Sequence, residues 1–458
     1  MNRSTIPFLG EQNAPTIAER RAAGKALRTR APRASHATWS PAPDRPDPIS
    51  LLEESNRSRI AALVPLRYGR MITSPFAFLR GSAVVMAGDL AMTPNTGIQV
   101  QACGDAHLSN FGTYATPERN QVFDVNDFDE TLPGPWEWDV KRLAASIVLA
   151  GRQNSFSIAS NRQAVLNCLQ TYRERMWEFA DMCHLDVWYS CVDAQSMLKR
   201  VGRTSRPLIN RELEKAHRQT SSHVFPLLAR HINGQYSIKD DPPLITHLDD
   251  EQRTLWLHAL LGGYEASLSD DRRVLFNRYR VVDLAQKVVG VGSVGTHCYI
   301  ALLLGNADND PLFLQIKEAQ ASVLEQHLGT SAYPNHAQRV LCGQHLMQAA
   351  SDIFLGWTSG GSIDCYIRQL RDMKGTPSLV HLVESDFIVY AGLCGWTLAR
   401  AHARSGDSAS ISGYLGTNDQ FDRAVATFAQ AYADQTERDH AALVAAAHAG
   451  RVPVETIK

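Results

Sequence analysis

The sequence lacks the features by which several classes of protein are recognised. It has no run approaching about 18 uninterrupted apolar residues, so no transmembrane helix is expected. Its first ten residues, MNRSTIPFLG, have no apolar core of the kind found in secretory signals. Its 46 basic and 47 acidic residues give a net charge of −1, which argues against nucleic acid and anionic membranes as partners.

Cysteine pairs are also missing. Eight cysteines are scattered along the chain without a C-x-x-C motif, which argues against a zinc site and against a disulfide framework. The segment CHLDVWYSC (183–191) combines cysteine with histidine, but the sequence has no second cluster that would supply the remaining metal ligands. It therefore does not predict a metal site. We therefore expect reduced thiols and a cytoplasmic protein.

Composition and periodicity divide the chain into four parts of an α+β protein. Residues 1–48 are rich in Arg, Ala and Pro and show no apolar period, which predicts a loosely ordered arm. Residues 49–278 are mostly helical, with a Pro- and Asp-rich break at 238–250. Residues 279–375 alternate with a period of two and predict a strand-rich module, and residues 376–458 return to helices.

Individual elements follow from capping residues and alternation. A helix is expected over 50–64 with Ser50 as its N-cap, and an amphipathic helix over WEWDVKRLAASIVLAGR (136–152). The segment GIQVQACG (97–104) alternates like a strand, and residues 113–130 have the turn residues of a hairpin. Further strands are expected three times between 279 and 318, at DIFLGW (352–357) and at DCYIRQL (364–370).

The segment QACGDAHLSNFG (101–112) places a carboxylate, an imidazole and an amide within six residues. Asp and Asn are common in turns because they hydrogen-bond nearby backbone, so a purely structural role is one explanation. The other is a site, because DFDE (127–130) ends the hairpin and returns to the same place. Asp105, Asn110 and Asp127 would then supply a base and hard oxygen ligands for Mg2+ bound with phosphates. The lesser candidates for the metal are Asp124 and Asp129.

The segment GVGSVGT (290–296) has its glycines in G-x-G-x-x-G order. A dinucleotide-binding fingerprint requires a helix after the glycines, whereas THCYIALLLG (296–305) continues as a strand. A glycine loop between two strands is instead the context of a kinase-type flap over phosphates. The residues that would cover the phosphates are Gly290, Gly292, Ser293 and Gly295.

Lys317 lies on the next strand, in LFLQIKEA (312–319), 22 positions after Gly295. A lysine within an apolar strand is costly unless it meets an anion, which predicts a phosphate contact. A lysine on an edge strand that extends to water explains the pattern equally well. Glu325, in the first helix after the strand, is the preferred carboxylate partner of Lys317, and Glu318 is its rival.

Together these segments resemble the protein-kinase-like superfamily, especially its aminoglycoside and choline kinase branch. GDAHLSN (104–110) is similar to the catalytic loop G-D-x-H-x-x-N of that branch, and DFDE to its metal loop. GVGSVGT, Lys317 and Glu325 resemble the small lobe of the same fold. The resemblance implies that Asp139 braces the catalytic loop and that LCGWTLARAHARSGD (393–407) is the helix that runs just before this loop.

A second resemblance covers about residues 45–450. The segments SPFAFLRG, CGDAHLSNFG, FDVNDFDETLPGPWEWDVKRL, LARAHARSGD and YADQ look like a bacterial family catalogued as domain of unknown function 2252. That family supplies no activity, so function must be argued from the site.

The order of the segments departs from that of ordinary kinases. Asp105 precedes Gly290 by 185 positions, whereas the glycine loop comes first in those enzymes. The segments nevertheless keep their cyclic order, which favours a circularly permuted, two-lobed kinase-like fold with extra helices over a chance glycine match.

Permutation has consequences that a structure can check. Residues 100–110 should pack beside the helix at 398–403, and Lys317 should lie near Asp127. The chain should pass between the lobes twice, near Arg280 and near Arg371. The segment CYIRQLRD (365–372) would form the hinge near adenine.

These expectations describe an ATP- and Mg2+-dependent phosphotransferase that acts on a hydroxyl group of an unknown small-molecule or protein acceptor. Asp105 would accept or orient the hydroxyl proton, and His107 would bind phosphate or tie the loop together. Arg67, Arg70 and Arg80 line an anionic substrate site or, more simply, form salt bridges on a helical face. The alternatives are an adenylyltransferase on the same fold, a nucleotide-binding scaffold without turnover, and a metal-dependent hydrolase.

Overall fold

The computed structural model describes residues 15–200, 206–307 and 310–456, and short helices fill the first part of this chain. Asp47 accepts a hydrogen bond from the backbone N–H of Ser50 and caps a helix that begins at Pro48 and ends at Asn56. The helix predicted over 50–64 is therefore wrong in its cap and its end, because proline at the first helical position leaves the cap to the residue before it. The elements are α1 (Ile17–Ala26), α2 (Pro48–Asn56), α3 (Val64–Met71), α4 (Pro75–Gly81), α5 (Ala83–Ala91), β1 (Gln99–Ala102), β2 (Phe111–Ala115), β3 (Gln121–Val125), β4 (Leu132–Pro135) and α6 (Trp136–Gln153).

The strand, the hairpin and the amphipathic helix predicted in this part are confirmed as β1, the β2–β3 pair and α6. The region up to residue 276 is mostly helical, as predicted, and its break holds β8. Its elements are α7 (Ile158–Asp181), α8 (His184–Tyr189), β5 (Val192–Asp193), α9 (Ala194–Arg200), α10 (Arg206–His217), α11 (Ser221–Leu228), β6 (Ala229–Ile232), β7 (Gln235–Ile238), β8 (Ile245–His247), α12 (Asp250–Ala259), α13 (Glu265–Ser267) and α14 (Asp270–Phe276).

A six-stranded antiparallel sheet follows, in the order β12-β13-β11-β10-β9-β8. The three strands expected between 279 and 318 are confirmed, whereas DIFLGW is only the approach to β12, because Phe354 and Leu355 are buried in a turn before the ladder begins. The strand-rich part also starts earlier than residue 279, since β8 pairs with β9. The elements are β9 (Arg280–Lys287), β10 (Cys298–Leu304), β11 (Pro311–Glu318), α15 (Glu325–Leu328), α16 (His336–Met347), β12 (Gly356–Gly360) and β13 (Ile363–Gln369).

The C-terminal part is helical, as predicted, and completes a helical body around α6. Apolar residues of α6, α7 and the new helices share one core, which includes Leu143, Leu169, Leu398 and Phe428. Two smaller clusters on either face of the six-stranded sheet contain Leu314 and Phe313 respectively. The last helices are α17 (Glu384–Ser405), α18 (Ser408–Leu415) and α19 (Gln420–His448).

Residues 15–48 correct the prediction of a loosely ordered arm. Thr16 caps α1 with a reciprocal capping box, and α1 packs on α18. Arg33 is buried and donates to the side chains of Asn418 and Gln420, and His36 bonds to Tyr414 at 2.7 Å. The composition misled because these residues are ordered by contacts with the far end of the chain rather than by an apolar period. Residues 1–14 lie outside the described residues.

The passages between the helical body and the six-stranded sheet lie side by side. Met373 donates its backbone N–H to the carbonyl of Gln219 at 2.8 Å. The entry is therefore near residue 220, not near Arg280, because Val224 at the start of this segment already belongs to a core cluster of the sheet. The exit near Arg371 is as expected. β13 runs to Gln369, so most of CYIRQLRD is strand and the connection begins after it.

Candidate functional site

The loop at 103–110 is held in place by a buried carboxylate. Asp139 accepts hydrogen bonds from the backbone N–H groups of Cys103 at 2.6 Å and Gly104 at 2.9 Å, and His402 Nε2 lies 3.1 Å from it. Gly104 has a φ of +79°, and a Cβ there would meet the carbonyl oxygen of Glu130 at 2.3 Å. Asp139 thus braces the loop, in the position that the resemblance implies.

Helix α17 packs beside the same loop, as predicted for residues 100–110 and 398–403. Ser405 Oγ accepts the backbone N–H of Gln101 at 3.0 Å. The hydroxyl of Tyr390 donates to the carbonyls of Leu108 at 2.8 Å and Phe111 at 3.0 Å. A loop near the start of the chain is therefore built onto a helix close to its end.

Asp105 faces a cleft, and in the described part of the chain the side-chain hydrogen bond to its carboxylate is made at Oδ1. Arg142 Nε donates to Asp105 Oδ1 at 2.6 Å, and His107 Nε2 lies 3.6 Å from Oδ2. Burial lowers the pKa of His107 to about 4, so the imidazole is neutral at pH 7, and its Nδ1 has no hydrogen-bond partner among the described residues. The Oδ2 atom of Asp105 is thus the oxygen left for a ligand.

Asn110 joins the two motif loops. Its amide nitrogen donates to the carbonyls of Asp127 at 2.9 Å and Asp105 at 3.2 Å, and its oxygen accepts the Asp127 N–H at 2.7 Å. The amide oxygen retains a second lone pair, so this bracing is compatible with a bound cation.

Lys317 sits between the two aspartates of the DFDE segment. Its Nζ lies 3.0 Å from Asp127 Oδ2 and 2.5 Å from Asp129 Oδ2, and its side chain is 3 % exposed. Burial opposes the charged amine, but the two carboxylates outweigh it and raise the pKa of Lys317 well above its ordinary value. Tyr366 donates its hydroxyl to Asp129 Oδ1 at 2.8 Å. The predicted proximity of Lys317 and Asp127 is confirmed, and Lys317 does not reach out to water.

The two aspartates differ in electrostatic environment. Burial alone would raise the pKa of Asp127, yet the charges of Lys317 and Arg368 hold it below its usual value. The pKa of Asp129 is raised by burial and by the charge of Asp127. The side chain of Asp127 is 41 % exposed and that of Asp129 29 %, so both present oxygen to the cleft.

Asp124 is not part of this site. It is fully buried, and both of its oxygens lie 2.6 Å from Arg400 Nη2, while the N–H of Ala349 donates to Oδ2. The prediction of Asp124 as a lesser metal candidate is therefore wrong. Its side chain points into the core and forms a buried ion pair with Arg400.

The carboxylate partners predicted for Lys317 are also corrected. Glu318 bonds to His297 Nδ1 at 2.8 Å, on the opposite face of the strand from Lys317. Glu325 accepts the N–H of Ser322 at 3.1 Å and lies 3.8 Å from Arg339 Nε. Alternation along β11 turns Glu318 away from Lys317. Glu325 lies at the start of the short helix α15, where Ser322 and Arg339 are its neighbours.

The glycine loop closes one side of the cleft. Gly290 and Gly295 have positive φ values of +63° and +89°, and β10 follows, so the context is strand, loop and strand as predicted. Ser293 Oγ lies 3.5 Å from Asp129 Oδ2. The loop is tied down by the N-terminal part of the chain, since Ile60 donates its N–H to the Gly295 carbonyl at 2.8 Å and Arg59 donates to the Val294 carbonyl at 2.7 Å.

The cleft has a volume of about 820 Å³. Sequence reasoning missed five charged residues that line it: Glu54, Arg59, Glu130, Asp364 and Arg368. Burial raises the pKa of Glu130 to about 7, although a hydrogen bond from Val323 opposes the shift. Only Glu130 had a signal in the sequence, as the last residue of DFDE. The predicted residues that line the cleft are Arg67, Arg80, Asp105, His107, Asn110, Asp127, Asp129, Gly290, Gly292, Ser293, Glu318 and Glu325. Gly295 and Lys317, which were also predicted for the site, do not line it.

No group of three or more His, Cys, Asp or Glu side chains among the described residues is arranged to hold a metal ion by itself. A site made of one or two carboxylates does fit Mg2+, which proteins usually bind together with substrate phosphates and water rather than in an all-protein cage. Asp127 and Asp129 meet that description.

The fold and the cleft define a mixed α+β protein with a charged site between a sheet and a helical body. Residues 59–446 match the family described as "Uncharacterized protein conserved in bacteria (DUF2252)", and the chain belongs to it. No curated protein and no solved structure matches the chain. Within residues 15–200, 206–307 and 310–456, no helix has the length and apolar character needed to cross a membrane.

Proposed function

We propose that the cleft binds ATP with Mg2+ and transfers a phosphoryl group to a hydroxyl acceptor. The observation that carries the proposal is the position of Lys317, a buried amine held between Asp127 and Asp129, two carboxylates that line an 820 Å³ cleft. A buried lysine is costly unless it meets anions, and here the anions themselves face a space large enough for a nucleotide.

The arrangement around Lys317 supports a circularly permuted, two-lobed kinase-like fold. The six-stranded sheet carries the glycine loop and Lys317, and the helical body carries Asp105, Asp139 and α17. Asp139 braces the loop of Asp105, and the segments meet in the cyclic order of a kinase although their chain order differs. Contacts rather than chain order carry stability, so permutation is physically inexpensive.

Asp127 and Asp129 are the residues that would hold Mg2+, with Asn110 as a further oxygen donor. The metal would neutralise charge on the phosphates, as phosphoryl transfer generally requires. Lys317 would contact the phosphates, and Gly290, Gly292, Ser293 and Gly295 would cover them with backbone and a hydroxyl. Asp127 and Asp129 hold the amine of Lys317 directly behind the cleft wall, so it would reach the phosphates between these two carboxylates.

Asp105 would direct the acceptor. In the proposed reaction the acceptor hydroxyl oxygen bonds to the γ-phosphorus, the bond from that phosphorus to the β,γ-bridging oxygen breaks, and ADP leaves. The hydroxyl proton passes to Asp105 and then to solvent. Arg142 keeps Asp105 in one orientation, and neutral His107 beside it is available as a hydrogen-bond partner. Positioning and charge neutralisation would supply most of the rate enhancement.

Labelled nucleotide tests this proposal. The protein is incubated with Mg2+ and with either γ-labelled or α-labelled ATP, in the presence of a bacterial low-molecular-weight extract or bacterial protein. Transfer of γ-label to an acceptor, lost in Asp105→Asn, is the expected result. Transfer of α-label instead identifies an adenylyltransferase. Nucleotide binding without transfer of either label identifies a scaffold, and both of these outcomes overturn phosphoryl transfer.

A further inference from the structure

A second hollow adjoins the cleft on the side of Asp105. Its volume is about 320 Å³, roughly the liquid volume of ten water molecules. Arg80, Ser109 and Val291 line both spaces, so the hollow opens towards the cleft beneath the glycine loop. Its size suits a compact molecule rather than a nucleotide.

The hollow is positively charged. Arg70 and Arg80 are among its lining residues, and no Asp or Glu of the described chain lines it. Arg70 donates to the carbonyl of Gly290, which fixes its guanidinium at the glycine loop. Thr73, Ser74 and Asn154 add neutral polar groups to the wall. A space with this lining favours an anion.

Arg80 is the group without an evident structural task. In the described part of the chain it makes no hydrogen bond or ion pair, and its Nε is buried without a partner. The guanidinium lies over the ring of Phe76, with its carbon 5.9 Å from the ring centroid, and close enough to Asp105 for the two charges to interact. A buried, unpartnered donor costs about 1–3 kcal/mol.

The neighbouring arginines do not offer the simpler explanation that the sequence suggested. Arg67 donates to Asn56 and to the carbonyl of Gly81, and so braces the helices around α4. Within the residues described, neither Arg67, Arg70 nor Arg80 forms a salt bridge on a helical face. Arg67 and Arg70 each donate hydrogen bonds to neighbouring groups, whereas Arg80 donates none within the described residues.

We propose that Arg80 and the hollow form the acceptor subsite, which takes a small hydroxyl compound that carries an anionic group, a phosphate monoester or a carboxylate. The inference rests on the proposed function, since it places the acceptor beside Asp105. The guanidinium group of arginine forms bidentate hydrogen bonds with phosphates and with carboxylates. With the anion on Arg80, a hydroxyl group on the same compact molecule comes next to Asp105 Oδ2, the oxygen that Arg142 leaves free.

Calorimetric binding of defined probes tests the subsite without any nucleotide. The probes are inorganic phosphate, sn-glycerol 3-phosphate, glycerate and, as the uncharged comparison, glycerol. We expect the anions to bind and glycerol not to bind. Arg80→Gln should weaken anion binding at least about tenfold, the loss of one charge-assisted hydrogen bond. Arg80→Lys should keep part of the affinity, and Arg423→Gln, a surface control with a 60 % exposed side chain, should keep all of it.

Lys317→Met separates this subsite from the nucleotide site. If the anions lose affinity in Lys317→Met but not in Arg80→Gln, they bind at the phosphate-holding lysine and the subsite is overturned. Absence of anion binding to the wild-type protein also overturns it. Binding of MgATP is measured on the same preparations: its absence in the wild type would refute the proposed function, while the Arg80 result would still decide whether the hollow binds anions.

Discussion

The amine of Lys317 and the carboxylate of Asp127 lie 3.0 Å apart, although 190 positions separate them in the chain. Each belongs to a different motif, one on a strand of the six-stranded sheet and one in a loop of the helical body. The pair therefore holds the two halves of the cleft together. Its removal should lower the free energy of unfolding and the affinity for nucleotide.

Lys317→Met should destabilise the protein by about 2 kcal/mol, because it removes the cation that lies between Asp127 and Asp129. The figure is below that for a fully buried pair, since Asp127 is 41 % exposed. Urea unfolding measures it. Adding Asp127→Asn should recover part of the loss; a Lys317→Met variant as stable as the wild type would contradict the role of the pair.

Asp105→Asn and Asp127→Asn should separate chemistry from binding. Asp105→Asn keeps the affinity for MgATP and lowers the transfer rate by about two orders of magnitude or more, the usual worth of an acid–base group. Asp127→Asn weakens MgATP binding itself. The measurements are titration calorimetry and γ-label transfer. If both variants turn over like the wild type, the active site lies elsewhere.

Asp139→Asn should loosen the loop of Asp105. An amide cannot accept from Cys103 N, Gly104 N and His402 together, so one donor is left unpaired at a cost of about 1–3 kcal/mol. Thermal unfolding measures the change. Asp434→Asn, which breaks an exposed pair with Arg152, is the control and should cost no more than about 1 kcal/mol. Equal effects of the two substitutions would refute the brace.

Glu130→Gln should change how stability depends on pH. The folded-state pKa of Glu130 is about 7, above its ordinary value of 4.5, so the folded protein retains a proton that the unfolded chain loses between these values. Glu130 therefore lowers the free energy of unfolding as pH rises from 4.5 to about 7, by at most about 1.4 kcal/mol per unit. The melting temperature of Glu130→Gln relative to wild type should rise over this window and level off above it. A constant difference would show that Glu130 titrates normally.

The sequence was sufficient to predict much of the site because its motifs are local. GDAHLSN, DFDE and the glycine loop each combine several chemistry-bearing residues, and their cyclic order predicted that Lys317 lies near Asp127. Side chains whose position depends on tertiary packing could not be predicted in this way. Arg59 comes from a segment before the first motif, and Arg368 shares its strand with the polar residues Asp364 and Gln369.

The wrong predictions have a shared cause. Asp124 was placed in the site, and Glu325 beside Lys317, by proximity in sequence, whereas contacts with Arg400 and Arg339 determine where their carboxylates lie. Residues 15–48 belong to a segment that was predicted to be loosely ordered because its apolar residues do not recur with a helical or strand period. Arg33 in this segment nevertheless hydrogen-bonds to the side chain of Asn418. Long-range polar contacts of this kind leave no periodic signal in a sequence.

Binding of ATP with and without Mg2+ tests the central claim most directly. The melting temperature of the wild-type protein is measured with ATP and Mg2+, with ATP and EDTA, and with Mg2+ alone. If Asp127 and Asp129 bind the metal with the phosphates, MgATP should stabilise the protein clearly more than ATP in EDTA, by mass-action linkage, and Mg2+ alone should have little effect. The extra stabilisation should disappear in Asp127→Asn. A shift that is the same in EDTA, or no shift with MgATP, would contradict the account.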